Sequence, residues 1–274
     1  MRALAVLCLC AMLGGCMLAD PNQHADAVAG LAHLQRETLA TRNFVLTGFV
    51  RITRPDAPLD LYIEGDGFAW VTTYEPSLDP TPHEATGLEL AAADPAPNVA
   101  YLARPCQFTP MDLNPQCAVP YWTGKRYAPE VIASMNDAVD RLVARVPGQA
   151  VNLIGYSGGG AVAVLIAARR HDVATLRTVA GNLDSEYVNR IHDVSPMPAS
   201  LDPIDDARRV GAIPQIHFSG ARDKVVPTQV ARRFVERAGP ACAQVYVVPG
   251  MTHGGGWARA WPRLLAVEPV CRPR

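Results

Sequence analysis

Short apolar runs recur along the chain at 44–53, 59–64, 99–103, 151–155, 176–180, 215–219 and 244–248. Several are apolar almost throughout, as strands buried on both faces must be. Between them the period lengthens to that of a helix. Over 129–146, Val131, Ile132, Met135, Val139, Leu142, Val143 and Val146 fall on one stripe, while Asn136, Asp137, Asp140 and Arg141 lie largely elsewhere. Pro129 suits a first helical turn, and Pro147-Gly148 ends the pattern. A second helix is predicted over 227–238, with Val230, Ala231, Phe234 and Val235 inward and Gly239 as its stop, and a third over 161–170. Strands alternating with helices predict an α/β fold with a mostly parallel central sheet covered on both faces. Two segments rich in Pro, Asp and Ser, 72–98 and 184–214, read as long loops at the carboxyl ends of strands, where open α/β sheets bind ligands. Both are expected as cleft walls. The second is too short for an independent folded cap, so no large cap domain is expected and the cleft should be partly open.

Composition narrows this picture. At 274 residues and 49% hydrophobic, the chain can build one sizeable core. A net charge of −1, from 25 basic and 26 acidic residues without a basic run, argues against a nucleic-acid partner. The start of the chain differs from the rest: Arg2 precedes an apolar run from Ala3 to Leu13, which reads as a signal peptide over 1–15, too short for a stable spanning helix. Leu13-Gly14-Gly15-Cys16 resembles the bacterial lipobox, which implies acylation of Cys16 and anchoring to a membrane through lipid. An ordinary secretory signal with an incidental cysteine is the simpler alternative. With Cys8 and Cys10 in the signal and Cys16 lipidated, Cys106, Cys117, Cys242 and Cys271 remain. An even number in an exported chain favours disulfides, and nearest neighbours suggest Cys106 with Cys117 and Cys242 with Cys271. Other pairings, or buried free thiols, remain open.

The candidate chemistry lies in three loops that each follow an apolar run. Gly155-Tyr156-Ser157-Gly158-Gly159 joins the run at 151–155 to a helical pattern, so Ser157 stands on a strand-to-helix turn whose glycines relieve crowding. A phosphate-binding turn is the rival reading, but it lacks the P-loop lysine and the dinucleotide glycine spacing. A serine hydroxyl needs a base to take its proton and a third group to orient that base. Asp223 follows the strand-like run at 215–219, and His253 follows the one at 244–248. His24 and His33 precede the sheet, His171 follows the helix after Ser157, and His217 lies inside a strand. Asp184, Asp205 and Asp206 are alternative acids but read as solvated loop residues. The turn Glu64-Gly65-Asp66-Gly67 is a tight turn or a weak calcium loop on its residues alone, though it lacks the ligand count of an EF-hand. The four cysteines lack zinc-site spacing, so no metal is expected.

Gly-Tyr-Ser-Gly-Gly at 155–159, Gly-x-x-Asp-x-x-Val-Pro at 220–227 and Gly-x-x-His at 250–253 resemble the α/β-hydrolase superfamily, in its chain order Ser, Asp, His. The resemblance implies a triad of Ser157 as nucleophile, His253 as base and Asp223 as its orienting acid, and an acyl-enzyme formed without a cofactor. Glu64-Gly65-Asp66-Gly67 is similar to the family's His-Gly-x-Gly turn, with Glu64 where histidine is common. That implies an oxyanion hole from the backbone N–H groups of Asp66 and Gly158. The expectation is a serine esterase acting on small or medium, soluble small-molecule substrates, exported to a bacterial cell envelope. Residues 1–15 would be the signal, 16–40 a tether and leading segment, and 41–274 the catalytic domain. Peptidase, thioesterase or acyltransferase action on the same site is the alternative, as is a catalytically silent binding lipoprotein. Protein partners stay unspecified.

Overall fold

The computed structural model describes residues 20–272; the signal segment and Cys16 lie outside the described residues. Eight strands form one sheet in the order β1-β2-β4-β3-β5-β6-β7-β8. They span Gln35–Ala40 (β1), Val45–Ile52 (β2), Leu59–Ile63 (β3), Asn98–Leu102 (β4), Val151–Tyr156 (β5), Val173–Val179 (β6), Gln215–Gly220 (β7) and Ala243–Val248 (β8). Only β2 runs against its neighbours, pairing antiparallel with β1 and β4, and every other pairing is parallel. The helices are α1 (Pro21–Leu31), α2 (Thr86–Ala92), α3 (Pro129–Val143), α4 (Gly158–Ala167), α5 (Ser185–Ile191), α6 (Pro203–Asp206), α7 (Thr228–Ala238) and α8 (Trp257–Leu265).

The pleat sorts the side chains into two cores. Leu59, Leu61 and Ile63 of β3, with Ala100 and Leu102 of β4, pack with α3, α4 and α7. Tyr62, Val99 and Tyr101 point the other way and pack with α1, α2 and α8. The sheet is therefore covered on both faces, as the apolar strands require, and no large cap stands over it. All ten residues of α4 are buried, because this helix lies in the larger core with α3 and α6 beside it.

Six elements escape the sequence pattern, α5 and α6 among them, which form inside the 184–214 segment read as a long loop. β1 is a polar edge strand with only Leu39 buried, and it needs β2 rather than its own apolarity to form. Within the expected tether and leading segment, residues from 21 on hold α1 and β1, so the sheet begins at residue 35. The short α2 lies inside the proline-rich 72–98 segment, and α8 contains Pro262. Disulfides join Cys106 to Cys117 and Cys242 to Cys271, the second tying the end of the described chain to the start of β8. Among the described residues, no helix is long and apolar enough to cross a membrane.

Candidate active site

Parallel strands deliver their following loops to one edge of the sheet, and β3, β5, β7 and β8 carry the loops that matter there. The turn from β5 into α4 is the tightest. Ser157 sits at φ 50°, ψ −119°, a region that costs a non-glycine residue energy. It is held there from both sides, since its N–H donates to Val179 O at 2.9 Å and its C=O accepts from the N–H of Gly160 and Asn182. The flanking glycines are steric necessities. A Cβ on Gly155 would strike the Gly159 backbone, and one on Gly159 would strike the carbonyls of Ile63 and Glu64.

Three side chains from three loops then join in a line. Ser157 Oγ lies 2.9 Å from His253 Nε2, and His253 Nδ1 lies 2.9 Å from Asp223 Oδ2. A carboxylate can only accept, so the shared proton belongs to Nδ1, and Nε2 is left to accept from the serine hydroxyl. The second oxygen of Asp223 accepts from the N–H groups of Val225 and Val226, both at 2.9 Å, and its side chain is fully buried. The His253 carbonyl accepts from Tyr156 OH at 3.2 Å and Trp257 Nε1 at 2.8 Å, which pins the imidazole loop to β5 and α8. Such an arrangement can move a proton from the serine hydroxyl to the imidazole and back to a departing group.

The turn after β3 lies against Ser157. Gly67 has φ 68°, and a side chain there would collide with Pro80 O. Asp66 does not send its carboxylate into open solvent. It pairs with Arg104 at 3.2 Å and Arg126 at 3.4 Å, with Tyr127 OH 3.4 Å from both of its oxygens. Arg104 Nη2 also donates to Arg126 O, which links the two guanidinium-bearing loops. This cluster presses on Gly158, where any Cβ would clash with the Asp66 carboxylate and the Tyr127 hydroxyl. Burial, with Asp66 nearby, pushes Tyr127 up to about 12. As the first residue of α4, Gly158 has an N–H with no intrahelical acceptor.

Glu64 occupies the position where the resembled turn commonly carries histidine. Its carboxylate is buried and accepts from Gly65 N at 2.9 Å, Gly87 N at 3.1 Å and Tyr101 OH at 3.0 Å. Burial raises its pKa against the pull of those donors. It thus fastens the turn after β3 to the start of α2.

These loops enclose a cleft of about 440 Å³ lined by Ser157 and His253 together with Phe68, Trp70, His83 and Arg126. The 64–86 loop supplies most of its wall, and Phe68 stacks on His83 at 4.5 Å. The 184–214 segment lines a separate cavity that contains neither Ser157 nor His253. The expected second wall is therefore absent from the cleft. Asp184 caps α5 and pairs with Arg233 at 2.7 Å, and Asp206 pairs with Arg169 and Arg209. His217 is a core residue bonded to Thr178 and Gln215, its pKa pushed down to about 3 by burial. Arg104, Arg126 and Tyr127 were invisible in sequence, where they look like ordinary loop residues with no diagnostic spacing.

No protein-family model matches the sequence, and no curated protein does either. Solved structures do match its fold, 1045 chains in all. An esterase domain from Rhodothermus marinus superposes with a TM-score of 0.57 at 15% identity, over 85% of this chain and 96% of that one. The fold is that of the α/β-hydrolases. Two further solved structures share this fold. Pyrococcus horikoshii acylaminoacyl peptidase gives 0.57 at 12% identity over 84% of this chain, which spans only 39% of the peptidase. A membrane phospholipase A described as a bacterial virulence factor gives 0.55 at 16%, over 90% of this chain and 91% of that one. At such identities the likeness speaks to the α/β-hydrolase fold alone.

Proposed function

We propose that this chain is a serine hydrolase that cleaves carboxylic esters through an acyl-enzyme, and that Cys16 anchors it by lipid to a membrane of a bacterial envelope. The carrying observation is the unbroken hydrogen-bonded line from Ser157 Oγ through His253 to Asp223 at 2.9 Å per link. In the first half-reaction, Ser157 Oγ bonds to the ester carbonyl carbon as its proton passes to His253 Nε2. The backbone N–H groups of Asp66 and Gly158 receive the oxyanion. Collapse breaks the bond to the alcohol oxygen, which takes the proton from His253 and leaves. Water then repeats the sequence, giving its proton to Nε2 and releasing the acid and free Ser157. Asp223 holds the imidazole in the required tautomer and stabilises its cation.

The choice of ester over amide or thioester rests on analogy with esterase neighbours, so a substrate panel is part of the test. A fluorophosphonate probe should label the wild type at Ser157, and Ser157→Ala should lose both labelling and turnover while keeping its melting temperature. Labelling elsewhere, or full activity in the variant, refutes the assignment. Absence of labelling in the folded wild type would favour a silent binding protein. Preference for amides or thioesters in the panel would move the substrate class without moving the site.

A further inference from the structure

Trp70, Val71, Tyr74 and Leu78 all stand on the 64–86 loop, exposed by 44%, 52%, 92% and 86%. Val225, 51% exposed, stands on the Asp223 loop and also lines the cleft. The backbone beneath the first four is ordered. Trp70 bridges to Pro76, the N–H of Val71 donates to Glu75 O at 2.8 Å, and Thr72 Oγ1 accepts from the N–H of Glu75 at 3.1 Å. A folded hairpin thus holds four large apolar side chains in water at the mouth of the Ser157 cleft, an arrangement that marks an interaction surface. Exposed Arg222 and Lys224 flank Asp223, and exposed Glu75 and Asp79 stand on the hairpin loop itself, so the charge around these side chains is mixed.

The occupant follows from where the described chain begins. The carbonyl of Asn22, in the first turn of α1, accepts from Arg36, whose guanidinium also donates to Phe108 O; the Phe108 N–H donates to Thr81 Oγ1 on the cleft loop. The start of α1 therefore lies on the side of the cleft loop. Its other end, Ala32, meets Arg51, which also binds the carbonyls of Asp94 and Ala96 ahead of β4, at the far edge of the sheet. Cys16 precedes Asp20 by four residues, a reach of at most about 14 Å. A tether that short keeps the cleft-side edge close to whatever surface holds Cys16. Exposed apolar side chains on an edge held that close to an acylated Cys16 suit the interface of a bilayer.

We infer that the 70–78 hairpin and Val225 form a docking surface for a phospholipid bilayer, so that the cleft opens at the membrane. The occupant rests on the Cys16 anchor, not on the catalytic reading. Three of the four tryptophans, Trp122, Trp257 and Trp261, are buried, so Trp70 is the natural reporter. The Cys16→Ser chain, which has no acyl group of its own, would be mixed with phosphatidylcholine–phosphatidylglycerol vesicles bearing brominated acyl chains. Trp70 fluorescence should be quenched. Tyr74→Ser with Leu78→Ser should weaken vesicle partitioning roughly tenfold and remove the quenching, because both side chains lose their apolar burial. Hydrolysis of a soluble ester should not change. No quenching in the parent chain, or quenching that survives the double substitution, overturns the proposal. Self-association abolished by the same pair would assign the face to a second copy and overturn it equally. The anchor is judged separately: a wild-type chain recovered from cells whose mass shows no acyl group on Cys16 refutes lipidation, while the vesicle measurement still decides docking.

Discussion

Asp66 puts an acid beside the place where the proposed reaction gathers negative charge. Two guanidinium groups on one carboxylate, Arg104 buried and Arg126 nearly so, leave the cluster with one net positive charge. That sign favours an oxyanion, whereas a bare carboxylate would oppose it by up to about 4 kcal/mol at 4 Å in a partly screened site. Arg104→Gln should lower kcat by roughly tenfold or more with a smaller change in KM, since the charge matters most in the transition state. Adding Asp66→Asn to that variant should return most of the loss. Steady-state kinetics beside melting curves check both. A second substitution that deepens the defect would show the cluster to be packing alone.

At the scale of elements, the turn from β5 to α4 tolerates least. Gly159→Ala forces a Cβ into the carbonyls of Ile63 and Glu64 and should cost on the order of 2 kcal/mol or more, together with activity. Gly30→Ala, in α1 with nothing within 4 Å of the new carbon, should instead gain about 0.5–1 kcal/mol. Urea midpoints of the two variants should move in opposite directions. The same contrast explains what could be read from the chain. Seven strands announced themselves as short apolar runs, the inner ones because burial on both faces demands it, whereas β8 is apolar although it is an edge strand with Tyr246 and Val247 exposed. β1 did not, since an edge strand of Gln, Arg, Glu and Thr carries no such demand. Ser157, Asp223 and His253 were legible because each sits in a loop whose glycines and preceding strand are local signals. Arg104 and Arg126 reach Asp66 only through the folding of separate loops, and the fate of the 184–214 segment depended on which neighbours it packed against. Neither is encoded within a short window.

For the molecule as a whole, the edge of the sheet opposite the cleft sets a pH dependence. Burial, then the nearby Asp94, raises Asp60 to about 7, against the hydrogen bond from Asn152 and the charge of Arg177. A carboxyl raised above its unfolded value of about 3.9 favours the fold while protonated. Its contribution is complete below about pH 4 and is lost as pH climbs through about 7. Asp60→Asn should therefore gain melting temperature over the wild type at alkaline pH and lose that gain on acidification; a constant difference across the range would contradict it. The complete burial of α4 has a consequence of another kind. A helix with no solvent face can release its amide protons only when the surrounding layers open together, so Ser157 is mounted on the slowest-exchanging part of the molecule. Deuterium uptake should be last in β5 and α4 and early in the 64–86 loop. In the proposed reaction, the breathing that admits a substrate and lets products go then falls to the loop that walls the cleft, and the Ser157 hydroxyl stays still while its surroundings move.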